Sequence, residues 1–157
     1  MLNIEITGDP VDHLWSDDPT LPTPAMPAFD DNPLPRRVID FQGGFNIDGE
    51  QYSGEVKHVM QRGTAEEWTI ENSTNAVHAH HIHVNPFLVT HINGVELAKD
   101  DPRRRWQDTV ALPFRTNDGP GTITYKTRFE TFTGKFVIHC HVLRHEDRGM
   151  MQTVEVV

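Results

Sequence analysis

The chain has 157 residues, enough for one domain with a buried core and too few for two. A hydrophobic share of 36%, with 8 Phe and 3 Trp, is that of a folded domain and excludes wholesale disorder. The net charge of −9 carries no basic stripe, which argues against a nucleic-acid binder, and no apolar run approaches the roughly 18 residues of a membrane span.

The N-terminal "MLNIEITGDP" lacks the basic and apolar regions of a signal peptide. A soluble protein is expected, either cytoplasmic or exported by a signal outside this sequence. "LNIEIT" alternates as a short strand does, and so short a strand needs a sheet to join, in this domain or in another chain. Residues 1–35 hold seven of the 11 prolines and seven acidic side chains with no Lys or Arg, so they read as an extended, solvated arm. Residues 36–157 form the domain proper.

From Arg36 onward the pattern is all-β. Candidate strands are "RVIDFQ", "QYSG", "EEWTIENS", "AHHIHVNPFLVTHI", "DTVALPF", "TITYKTRFE", "GKFVIHCHV" and "MQTVEVV", separated by turns such as "INGV" and "NDGPG". One helical turn is expected at "VLRHEDRG". Short strands at regular spacing predict an antiparallel Greek-key sandwich or barrel.

Seven of the ten histidines fall in two segments, "HAHHIH" at 78–83 and "HCHVLRH" at 139–145. His13, His58 and His91 stand alone and read as surface or satisfied side chains. Cys140 is the only cysteine, so an intrachain disulfide is excluded and the thiol is free for chemistry. Cys140, His145 and Met150 follow one another at intervals of five. With His78 they supply two imidazoles, a thiolate and a weak thioether, the ligand set of a blue (type 1) copper centre. Zinc rarely recruits a methionine, and a catalytic Cys–His pair would leave the other histidines unused. Strand alternation predicts that His139 and His141 point away from Cys140, and that His81 and His83 point away from His78 and His80. A second metal site is therefore expected on the opposite face, one residue away through the backbone of Cys140.

Residues from about 36 to 157 resemble the C-terminal cupredoxin domain of multicopper oxidases of the laccase-like family. "HAHHIHVNPF" is similar to its H-P-x-H-[LI]-H motif, and "HCHVLRHEDRGMM" to its H-C-H-x3-H-x4-M motif. The resemblance implies a cupredoxin sandwich in which His78, Cys140, His145 and axial Met150 bind type 1 copper. His81 would bind type 2 copper, and His83, His139 and His141 the type 3 pair. Glu146 matches an acidic position used to pass protons to oxygen. Ala79 stands in place of the usual Pro, and Val84–Asn85 in place of a common Gly-His. His80 occupies a position where Phe or Met is usual, as a rim residue or an extra ligand. Trp106 and Asp108 read as a core tryptophan and a turn aspartate, with a donor site as the alternative.

The family completes its trinuclear cluster with eight histidines, four of them from an N-terminal domain, and this sequence offers four. Two copies about a two-fold axis would supply the set. The expected activity is a laccase-like oxidase that takes single electrons from phenols, aryl amines or cuprous ions and reduces O2 to water. The alternatives are an electron-transfer or copper-binding cupredoxin with type 1 copper alone, or one half of a split oxidase. Either a fragment of a longer oxidase or an independent product starting at Met1 is compatible with the sequence. The resemblance implies a periplasmic or extracellular setting.

Overall fold

The computed structural model describes Phe29 and residues 33–157. The "LNIEIT" strand and nearly all of the proline-rich arm lie outside the described residues.

In chain order the strands are β1 (Arg36–Gln42), β2 (Asn46–Ile47), β3 (Val56–Met60), β4 (Thr64–Asn72), β5 (Ala79–Ile82), β6 (Phe87–Ile92), β7 (Val95–Glu96), β8 (Trp106–Gln107), β9 (Thr109–Ala111), β10 (Gly121–Phe129), β11 (Gly134–Cys140) and β12 (Met151–Val156). A single-turn helix, α1 (Leu143–Glu146), separates β11 from β12. The strands form two sheets. One has seven strands in the order β2-β1-β4-β10-β6-β7, with β8 also on β6; the other has five in the order β3-β12-β11-β5-β9. Most pairs are antiparallel, whereas β1–β4 and β12–β3 are parallel. This is the all-β cupredoxin sandwich that the sequence predicts.

Alternation builds the core. Along β10, Ile123, Tyr125, Thr127 and Phe129 point inward while the intervening residues are half-exposed, and β4 turns Glu66, Trp68, Ile70 and Asn72 the same way. Trp68, Ile70, Ile123, Tyr125 and Phe129 meet Ile82, Ile138, Cys140, Val154 and Val156 of the opposite sheet in one continuous cluster. Each large side chain so buried contributes about 1.5–3 kcal/mol. At one end the chain passes so close to β10 that a Cβ on Gly121 would lie 2.2 Å from the Pro113 carbonyl oxygen. A hydrogen atom is all that fits there.

The strands differ from the sequence reading in several places. "AHHIHVNPFLVTHI" is two strands, because the chain leaves the five-stranded sheet after Ile82 and enters the seven-stranded sheet at Phe87. Val84 makes that crossing at φ +67, where Asn85 N–H donates to the His83 carbonyl at 2.7 Å, and Pro86 has no amide hydrogen with which to continue a ladder. "QYSG" is irregular: Gly54 sits at φ +78 and Tyr52 N–H donates to the Gly149 carbonyl, outside any ladder. The reading missed β3, "VKHVM", an edge strand with half-exposed residues and no clean alternation, and with it the two-residue strands β2, β7 and β8.

Candidate copper centres

The first cluster is assembled by three elements. His78 sits in the loop just before β5, Cys140 at the end of β11, and His145 in α1. The His145 and His78 Nδ1 atoms are 3.2 Å apart, and Cys140 Sγ lies 3.6 Å from each. A point equidistant from all three lies about 2 Å from each atom, close to the length of a bond from a transition metal to nitrogen or sulfur. The donor set therefore fits one copper ion. Met150 is fully buried at the same end of the core, and its carbonyl accepts the Cys140 N–H at 3.0 Å. Gly149, at φ +90, turns the chain from α1 back into β12 and so sets the approach of Met150.

The tautomer of His78 follows from its neighbours. Thr74 Oγ1 donates to Asn72 Oδ1 at 2.8 Å, so it accepts from His78 Nε2–H at 3.0 Å and leaves the Nδ1 lone pair for a metal. Asn72 is fully buried and anchored by the Ala76 and Pro113 carbonyls. Burial, aided by His145, pushes the His78 pKa down to about 4. His145 is lowered by burial and by Arg144. Both imidazoles are thus neutral at physiological pH, as ligands must be. Burial raises the Cys140 thiol, so copper uptake there has to expel a proton.

The second cluster lies on the other side of β11. Ligand atoms of His81, His83 and His139 all fall within 4.8 Å of one another, and the His83 and His139 Nε2 atoms are 3.1 Å apart. The His141 ring stands 5.1 Å from His81 and 5.4 Å from His139, so the four predicted imidazoles share one face. His81 Nδ1–H donates to the Asp108 carbonyl at 2.9 Å, and the His139 Nδ1–H to the Cys140 carbonyl at 3.2 Å with Glu146 Oε2 at 3.4 Å. Both Nε2 lone pairs are thereby left toward the cluster. Burial, reinforced by His81 and His139, lowers the His83 pKa; burial, partly offset by the Cys140 carbonyl and Glu146, lowers that of His139.

Sequence reasoning missed Thr74, Asn72 and the role of Asp108, whose signal is only a polar residue at a strand end. Glu146 is placed against His139, beside the second cluster. Trp106 lies in β8, partly exposed, with Phe29 stacked on it at 5.4 Å. His80 is neither rim nor ligand: it is fully buried, with Nε2 2.9 Å from the Tyr125 hydroxyl. Of the lone histidines, His58 is satisfied by Arg37 and Gln152, and His91 by Thr90. His13 lies outside the described residues.

Fold and site define a cupredoxin-like domain with a compact His–Cys–His group and a second imidazole cluster one residue away. Residues 18–157 match the family model described as multicopper oxidase, and the chain belongs to that family, whose cofactor is copper. It is 31% identical to a laccase of Haloferax volcanii over 87% of this chain and 24% of that protein. A laccase of Bacillus subtilis is 24% identical over 70% of this chain and 24% of its own length. Among solved structures, the laccase of Pediococcus acidilactici Pa5930 superposes with a TM-score of 0.70 at 25% identity, covering 83% of this chain and 28% of that one. The chain spans about a quarter of the length of these relatives.

Proposed function

We propose that the chain is a laccase-like copper oxidase subunit whose oxygen-reducing centre is completed by a second copy across a two-fold axis. The observation that carries this reading is the face formed by His81, His83, His139 and His141, which is half of an eight-histidine set. His78, Cys140, His145 and Met150 would hold type 1 copper. His81 would share type 2 copper with its mate, and His83, His139 and His141 of both chains would hold the type 3 pair. Copper bound in these places supplies one-electron transfer at the first centre and four-electron reduction of O2 to water at the second.

The chain's own residues prepare both ends. Thr74 and Asp108 fix the His78 and His81 tautomers. Cys140 faces the core while its flanking histidines face away, so three consecutive residues join the two clusters. Glu146, 3.4 Å from His139 Nδ1, would hand protons to the oxygen site. His145, held in α1 and only half-buried, is the point of entry for electrons from a phenol, an aryl amine or a cuprous ion. A Met150 thioether among the ligands would tune the centre toward easily oxidised donors.

A second reading, an electron carrier with type 1 copper alone, is favoured by the completeness of the first cluster within one chain. Copper per chain, measured with molar mass and EPR on the same sample, separates the two. About five coppers per two-chain unit, with part of them EPR-silent, is expected for the oxidase. One copper per monomer, all of it EPR-visible, would overturn it in favour of the carrier. Apoprotein that fills only after a different polypeptide is added would instead show a split oxidase.

A further inference from the structure

His80 has no place in either copper cluster, and a core that needed only packing would be better served by leucine. Its Nδ1 is buried with no hydrogen-bond partner, a cost that native cores seldom retain without a use. The ring stacks on Tyr125 with centroids 5.5 Å apart and touches Phe41 edge-on at 5.7 Å, and Phe41 in turn meets His78 at 5.9 Å. On the other side Tyr125 lies 6.0 Å from Trp68, and Trp68 lies 6.3 Å from His58. Every step falls within the 4.5–7 Å range of aromatic contact.

The carboxylate on the indole N–H is what an oxidised ring needs, and the Arg37 cation that pairs with it sits over the ring and opposes the charge. The Trp68 indole N–H donates to Glu66 Oε2 at 2.7 Å, Glu66 is paired with Arg37, and the Arg37 guanidinium lies 5.5 Å over the indole. Tyr125 and Trp68 are fully buried, whereas the Arg37 and His58 side chains are 24% and 16% exposed. The line therefore starts at His80, the residue before His81 of the second cluster and separated from His78 by one aromatic ring, Phe41, and it ends at solvent on the β1–β3 side of the sandwich.

We propose that Tyr125 and Trp68 form a one-electron relay through the core, carrying oxidising equivalents from the copper-binding end to the surface at Arg37 and His58. A one-electron oxidant of the partly reduced oxygen class takes an electron from Tyr125, whose phenolic proton shifts along its hydrogen bond to His80 and returns on re-reduction. Trp68 supplies that electron while its N–H proton stays in the bond to Glu66. A soluble thiol or ascorbate-type reductant at the surface then refills Trp68 with one electron. The inference rests on the oxidase reading only for the source of the oxidant, and its test requires no copper.

The test uses the full copper-free chain with Trp15→Phe, Trp106→Phe and Tyr52→Phe, which leaves Trp68 and Tyr125 as the only indole and phenol. Flash-generated tris-bipyridyl ruthenium(III) serves as oxidant, and frozen samples are read by EPR. The expected result is a protein radical with phenoxyl character. It should become purely indolyl on adding Tyr125→Phe, which removes one hydroxyl and leaves the packing. It should lose its indolyl share on adding Trp68→Phe, with far-UV circular dichroism reporting the fold of each variant. Absence of a protein radical in the parent, or a spectrum that neither substitution changes, would overturn the relay whatever the copper stoichiometry proves to be.

Discussion

Val84 holds a β-branched side chain at φ +67 between His83 and Asn85, a conformation that costs about 1–3 kcal/mol outside glycine. Val84→Gly should therefore raise the stability of the copper-free protein by about 1 kcal/mol in urea denaturation, after allowing for the extra freedom of glycine in the unfolded chain. A loss of stability would mean that the half-exposed valine contributes more by packing than it costs in strain. His80 gives a pH prediction at the same scale. Burial, with the neighbouring His81 and His139, lowers its pKa to about 3, so between pH 6.5 and 3 the unfolded chain binds a proton that the folded chain does not. Stability from this group is complete above pH 6.5 and is lost as pH falls through that window. By pH 5 the loss is about 2 kcal/mol. His80→Phe should flatten that part of the pH profile, and an unchanged slope would move its origin to another group. Chemistry was legible at this scale because Cys, His and Met declare themselves. The core placement of His80 was not, since its neighbours Tyr125 and Phe41 come from distant strands.

Among the elements, β4 and β10 are the most legible, because nine residues of strict alternation read the same way in sequence and in space. The two-residue strands β2, β7 and β8 carry no periodicity of their own and exist only because a longer strand offers them a ladder. The split between β5 and β6 was hidden because β-formers such as Ile82, Val84 and Val89 run on through the crossing, and only Asn85–Pro86 marks it. Gly121 shows how closely elements approach: alanine there would place its Cβ against the Pro113 and Phe114 carbonyls. Gly121→Ala should cost about 2–3 kcal/mol, because backbone rather than a flexible side chain must move. The Asn72–Pro113 hydrogen bond should loosen with it, and through Thr74 the hold on His78. Thermal unfolding would read the first effect and copper affinity the second.

For the whole molecule, the proposed two-chain assembly makes association depend on metal. Copper that binds between chains stabilises the dimer by mass action, so a chelator should return it to monomer and copper should restore it. His83→Ala should keep one copper per chain and the blue colour of the thiolate site while losing association and oxygen uptake, followed by sedimentation and oxygen electrode. Retained association would place the interface elsewhere on the sandwich. Cys140→Ser should do the converse, abolishing the colour and donor oxidation while leaving the outward histidines in place.

The sequence by itself determined which chemical groups are present and how those within one strand divide between its faces. Residues 139 and 140, the last two of β11, turn to opposite faces whatever the rest of the chain does, because the pleat has a period of two. It also determined the class of fold, through the density of short alternating strands. The tertiary structure alone decided that His78, 62 residues before Cys140 in the chain, stands 3.6 Å from its sulfur, that Asp108 and Thr74 orient two imidazoles, and that His80 lies against Tyr125 in the core. Those contacts depend on strand order and register, which arise from the simultaneous burial of both sheets, and no local stretch of sequence contains that balance.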